Sequence, residues 1–217
     1  RPEAIKLVPI INELKKHSSN ILVDVVVTGQ HREILRQMLK LFEVLPDLDM
    51  DLMTHNQSLA EITSRSITEL GKYMASQRPD LVMVQGDTTT TFCAALAAFY
   101  SRIPVAHVEA GLRTFNKYSP FPEEMNRKMT SSISSLHFAP TELSKHNLLN
   151  ENVPEKDILV TGNTAIDTLF LALDMIDSGK VPLNELNDLN YENIVLITGH
   201  RRENFGAGFE SICNAII

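Results

Sequence analysis

The chain reads as an α/β protein with a mainly parallel sheet and helices on both faces. The first observation is alternation. Short apolar runs suited to strands are separated by longer stretches with apolar residues at helical spacing. The second lies at the joints. The run Val105–Val108 ends in Glu109-Ala110-Gly111-Leu112-Arg113, and a proline-bracketed loop then delivers Pro122-Glu123-Glu124-Met125-Asn126-Arg127. Acid groups just past a strand, and at the start of the next helix, occupy the edge where open α/β sheets bind ligands.

The elements follow in order. A helix is expected after Pro2, which suits a first helical turn. Leu7, Ile10, Ile11 and Leu14 share one of its faces, and Pro9 predicts a kink. Residues 21–27 form an apolar strand, 28–31 its exit loop, 32–42 a helix and 44–57 a loop. Residues 59–76 form a helix, with Ile67, Leu70 and Met74 on one face. A strand at 81–85, a Gly86-Asp87 turn and a helix at 88–100 follow. Next come a strand at 105–108, a helix at 123–133, a strand at 136–139, a helix at 141–150 capped by Thr141, a strand at 158–161 and a helix at 165–175. From 177 to 192 the composition turns polar, with Gly179, Pro182 and repeated Asn, and reads as a linker. An apolar strand restarts at 194–198. One α/β domain is therefore expected over 1–178, a linker over 179–192, and the start of a second domain from 193 to 217. The chain opens on Arg1-Pro2-Glu3 without an initiator Met and stops at Ile217 within an apolar helical pattern, so it reads as a piece of a longer protein.

Composition narrows the function. The 217 residues are 43% hydrophobic and 22% charged, ordinary for a soluble globular protein. The formal charge of −7 argues against a nucleic-acid partner, which needs net or local positive charge. A nucleotide needs only a few placed donors and stays open. Cys93 and Cys213 are read as two buried structural thiols, and a reducing cytoplasm as the location. Neither a signal peptide nor a membrane span is visible. The seven histidines show no HxxH or HExxH spacing, so no metal is expected. P-loop and GxGxxG patterns are missing, so no ATP or dinucleotide cofactor is expected either.

Several constellations carry chemistry. In Gly86-Asp87-Thr88-Thr89-Thr90-Thr91 the carboxylate of Asp87 follows a strand and the threonines open a helix. Spacing alone also fits an Asp or Thr N-cap. Glu109, just past a buried strand, suits a general acid or base, and spacing equally allows a salt bridge with Arg113. Glu124 fits the acidic first turn of a helix, while Glu123 has the stronger functional claim, with Arg127 as its ion-pair partner. His200, Arg201 and Arg202 follow a strand and suit a diphosphate, or a solvated basic turn.

Taken together, these stretches resemble the bacterial non-hydrolysing UDP-N-acetylglucosamine 2-epimerases. The residues that carry the likeness are Arg1-Pro2-Glu3-Ala4-Ile5-Lys6, Gly86-Asp87-Thr88-Thr89-Thr90, His107 to Arg113, Pro122 to Arg127, Thr161-Gly162-Asn163-Thr164 and His200-Arg201-Arg202-Glu203-Asn204. The resemblance implies two Rossmann-like domains of the glycosyltransferase-B type. By the same resemblance, the first strand is expected to be missing here and the second, UDP-binding domain to be truncated. It implies interconversion of UDP-GlcNAc and UDP-ManNAc through 2-acetamidoglucal, without an added redox cofactor. That activity would supply ManNAc units for cell-surface polysaccharide.

Asp87, Glu109 and Glu123 match the family's three catalytic carboxylates. His200 joins the catalytic set, and Arg1, Lys6, Arg113, Arg201 and Arg202 are expected to bind substrate. Gln30, His31 and Arg32 resemble part of a second, activating UDP-GlcNAc site, although Glu33 and Asn56 depart from the Gln and Arg of regulated relatives. A homodimer is implied as well. Competing readings are a hydrolysing epimerase releasing UDP and ManNAc, a non-catalytic nucleotide-sugar binding module, and a glycosyltransferase of related architecture.

Overall fold

The computed structural model describes residues 2–29, 32–52, 57–181, 195, 197 and 206–216. The chain divides into two compact units, Arg1–Asp174 and Met175–Ile217. In the first, α1 (Pro2–Lys16) is followed by β1 (Val26–Val27), α2 (Arg32–Leu41), β2 (Leu48–Asp49), α3 (Leu59–Gln77), β3 (Val82–Gln85), α4 (Thr89–Tyr100), β4 (Val105–Val108), α5 (Glu123–Ile133), β5 (Leu136–Ala139), α6 (Glu142–Asn150) and β6 (Ile158–Val160). Helix α7 (Thr164–Asp177) starts in this unit. All strand pairs are parallel: β1 with β2, and a four-stranded sheet in the order β3-β4-β5-β6. The architecture is thus α/β, with parallel sheets and helices on both faces.

Two expectations are corrected. The strand placed at 21–27 shrinks to Val26–Val27, and the loop placed at 44–57 contains its partner, β2. Hydrogen bonds explain the pairing. Val25 N–H donates to the Asp47 carboxylate at 2.7 Å, and Met50 N–H and Leu52 N–H donate to the carbonyls of Val27 and Thr28. The alternation Leu48-Asp49-Met50-Asp51-Leu52, which buries Leu52, is the strand signal in that stretch. Helix α1 runs through Pro9.

The main core joins Leu70 and Met74 of α3, Val84 of β3, Cys93, Ala95, Ala97 and Ala98 of α4, and Val105 of β4. Alanines on α4 let α3 lie close, and α3 is entered through a reciprocal Ser58–Glu61 capping box. A second cluster packs Ala110, Ala139, Leu148 and Ile158. Cys93 is buried, and burial pushes its thiol pKa up to about 11. Cys213 is exposed, contrary to expectation, because every residue of α8 (Ala207–Ile216) whose side chain is described lies at the surface.

Among the described residues, no helix is long and apolar enough to cross a membrane.

Candidate functional site

The register of the four-stranded sheet builds one edge. Gln85 lies opposite Val108, Val108 opposite Phe138, and Ala139 opposite Val160, so four strands end level. Ladder bonds carry the chain just beyond: Gly86 N–H to Val108 O, Ala110 N–H to Phe138 O, and Thr161 N–H to Ala139 O, at 2.9–3.0 Å. Gly86-Asp87, Glu109 and Thr161-Gly162-Asn163-Thr164 therefore emerge side by side at the carboxyl edge, where parallel sheets bind ligands.

Glu109 is the best-held group at that edge. Lys6 Nζ of α1 donates to its Oε1 and Gln85 Nε2 to its Oε2, each at 2.5 Å. Its backbone has φ +65°, a left-handed conformation that a residue with a Cβ rarely adopts. Gly86, at φ +75°, passes directly beside this carboxyl: a Cβ there would lie 3.8 Å from Glu109 Oε2 and 3.9 Å from Glu3 Cγ. The salt bridge of Glu109 is made with Lys6 and not with Arg113.

Asp87 is held from α5. Asn126 Nδ2 donates to the Asp87 carbonyl at 2.9 Å, and Arg127 grips the carboxylate through Nε at 2.9 Å and Nη2 at 2.6 Å. The cap of α4 is Thr88, which accepts from Thr91 N–H, so Asp87 is released from that duty. Thr91 Oγ1 in turn donates to Gln85 O at 2.7 Å. Beneath the turn lies His107, fully buried, with Nε2–H donating to the Gly86 carbonyl at 2.8 Å. Burial pushes its pKa down to about 4, so the ring is neutral at physiological pH.

The acidic pair divides its work. Glu123, half-buried in the first turn of α5, has no hydrogen bond or ion pair among the described residues. Arg127, expected to pair with it, instead joins Asp87 to Glu124, whose Oε2 is 3.2 Å from Nη1. Glu124 is completely buried and accepts the N–H groups of Thr114 and Phe115 at 3.1 Å each. Burial alone would raise its pKa. The two backbone donors and Arg127 outweigh that and hold it below the usual carboxylate range. Glu124 therefore pins the loop after β4 and does more than match a helix dipole.

Arg113 is corrected too. Its side chain has 0% exposure, and its donors go to Glu151 (2.6 and 2.9 Å), Leu112 O and Ser131 Oγ. A guanidinium committed in this way ties the loop after β4 to α6, and none of its surface is left for a substrate. Sequence reasoning missed Gln85 and Asn126. Asn126 could have been found, because Glu123, Asn126 and Arg127 share a helix face at i, i+3 and i+4. Gln85, a polar residue ending a buried strand, gives a weaker signal.

Arg1, Gln30, His31, His200, Arg201 and Arg202 lie outside the described residues. Arg32 begins α2, and its side chain also lies outside them. Among the described residues, no group of three or more His, Cys, Asp or Glu is arranged to hold a metal.

This edge offers two carboxylates gripped by cations, Glu109 by Lys6 and Asp87 by Arg127, while Glu123, one turn before Arg127 on α5, is unpaired among the described residues. Such a set can move protons and meet an anionic group. Comparison with known proteins identifies the family. The family model described as UDP-N-acetylglucosamine 2-epimerase matches residues 12–217. A UDP-N-acetylglucosamine 2-epimerase of Neisseria meningitidis serogroup A is 51% identical over all of this chain, which spans 59% of that relative's length. A crystal structure of the UDP-GlcNAc 2-epimerase from Neisseria meningitidis bound to UDP-GlcNAc superposes with a TM-score of 0.79 at 54% identity, covering 83% of this chain and 49% of that one. The S. aureus MnaA–UDP co-structure gives 0.87 at 44% identity, covering 100% and 56%. With the strand-end carboxylates in place and the family pattern matched from residue 12 to residue 217, this chain belongs to the UDP-N-acetylglucosamine 2-epimerase family.

Proposed function

We propose that the full-length protein interconverts UDP-GlcNAc and UDP-ManNAc at the edge that carries Asp87, Glu109 and Glu123. The observation that carries this reading is the Lys6–Glu109–Gln85 cluster beside Asp87, in a chain of this family. Support also comes from relatives solved with UDP-GlcNAc or UDP bound.

The chemistry conserves atoms and electrons. A carboxylate takes the C2 proton and the C1–O bond breaks, leaving UDP and 2-acetamidoglucal with a C1=C2 double bond. UDP oxygen then re-adds at C1, and a second acid delivers a proton to the opposite face of C2. The C2–H bond is weakly acidic, so departure of the diphosphate needs positive charge, which Lys6, Arg1 and His200 would supply. Protonating both faces requires more than one acid/base group. The three carboxylates meet that need, with Glu123 unpaired among the described residues. Arg127 orients the Asp87 carboxylate. Water must be kept out while the glycal exists. No redox cofactor takes part, and the product serves as a ManNAc donor for surface polysaccharide.

Product analysis tests this. Full-length protein incubated with UDP-GlcNAc and followed by proton and phosphorus NMR is expected to form UDP-ManNAc with the sugar–phosphate bond intact. Accumulation of free ManNAc and UDP instead would replace this reading with the hydrolysing one.

A further inference from the structure

Gln85 is not among the residues that the family likeness marked, yet it contacts the central carboxylate. It ends β3, is 3% exposed, and donates through Nε2 to Glu109 Oε2. Its other amide atom, Oε1, is buried and has no hydrogen-bond partner among the described residues. A buried acceptor without a partner destabilises a fold. A leucine of similar size would fill the same place on an apolar strand without that cost. The amide therefore brings something other than stability, and its one side-chain hydrogen bond among the described residues identifies what.

Deepening the proposed function, on which it rests for the reaction, we infer that Gln85 is the positioning residue that sets Glu109 as the proton acceptor of the site. The amide N–H aimed at Oε2 and Lys6 Nζ on Oε1 give each carboxylate oxygen one donor. The two bonds fix both oxygens and hence the direction in which the carboxyl faces. This matters because Glu109 sits on a strained backbone at φ +65°. Turned over, the amide would present Oε1 to Oε2 and would suit only a protonated Glu109. Among the described residues, the other titratable groups near this turn are Glu3 on α1, which lies beside Gly86, Asp87 with its partner Arg127, and the neutral His107 below the turn. None of these offers a hydrogen bond to Oε2.

The test uses Gln85→Leu and Gln85→Glu in the full-length protein. Removing a donor to the charged form moves the acid limb of the kcat/KM–pH profile up by about one unit and lowers kcat by about tenfold, with KM within about threefold. The melting temperature of Gln85→Leu stays level or rises, since a buried unpaired acceptor has gone. A merely structural residue would behave in the opposite way. Gln85→Glu keeps the shape and sets a second carboxyl beside Glu109, so the pair retains a proton and the limb moves further upward.

An arm independent of activity titrates the carboxyl carbon of Glu109 by NMR in ligand-free protein, assigned by difference from Glu109→Gln. Its midpoint should rise in both variants. An unmoved midpoint, or a Gln85→Leu enzyme with wild-type kcat and pH profile, overturns the inference. A wild-type protein that does not epimerise while its Glu109 midpoint follows Gln85 would sink the proposed reaction and leave this pairing standing.

Discussion

Glu109→Gln in the full-length protein lowers kcat by about 10²- to 10⁴-fold, the range expected for loss of a positioned acid/base group. The change is nearly isosteric. Lys6 Nζ keeps an acceptor in the new amide oxygen, and the Gln85 amide can turn so that its unpartnered Oε1 accepts from the new NH₂ group. The fold should therefore hold, with the melting temperature within a few degrees of wild type by thermal scan. KM for UDP-GlcNAc should change little, because the lost interaction belongs to proton transfer and not to grip on the nucleotide. Turnover close to wild type would remove Glu109 from the reaction.

The largest effect on stability is expected at Gly111. It has φ +88°, and a Cβ there would lie 2.2 Å from the Ser144 carbonyl oxygen and 2.8 Å from its carbon. Both atoms are backbone of α6, so no side chain can swing away. Gly111→Ala must strain its own backbone, at about 1–2 kcal/mol. It must also push α6 off the sheet edge, which adds an overpacking cost of about 1–3 kcal/mol. Together these should lower the melting temperature by on the order of 10 °C or leave the protein insoluble. Activity should fall as well, because Asn147 Nδ2 holds the Gly111 carbonyl and Glu109 lies two residues upstream. Gly71→Ala is the matched control. Nothing lies within 4 Å of that position in α3, so it should gain up to about 1 kcal/mol from helix propensity. Equal melting temperatures for the two variants would contradict this account of the edge.

The parts of the fold legible in the sequence are those governed by local pattern. The expected limits of β4, α5 and β5 agree with the structure, because each is bounded by turn residues. Thr141 caps α6 through a side-chain bond that the sequence advertises. β1 and β2 were less legible, since two-residue strands are defined by their partner and not by their own run. Asp87 and Glu109 could be placed at one edge by the rule for parallel sheets. Their partners could not, because Lys6 is 103 residues from Glu109 and Arg127 is 40 from Asp87. Arg113 and Glu124 show the same limit. A basic residue beside a catalytic motif and an acid in a first helical turn both turned out to be buried braces of one loop, which only packing reveals.

The reaction proposed for this edge requires its carboxylates to exchange the C2 proton of a nucleotide sugar. Incubation of the full-length protein with UDP-GlcNAc in deuterated water measures that directly, with mass and proton spectra of the recovered sugars. Deuterium is expected at C2 of both UDP-GlcNAc and UDP-ManNAc. Interconversion with C2 remaining fully protiated would contradict the account, since the proton would then never have left the sugar for a carboxylate in contact with solvent.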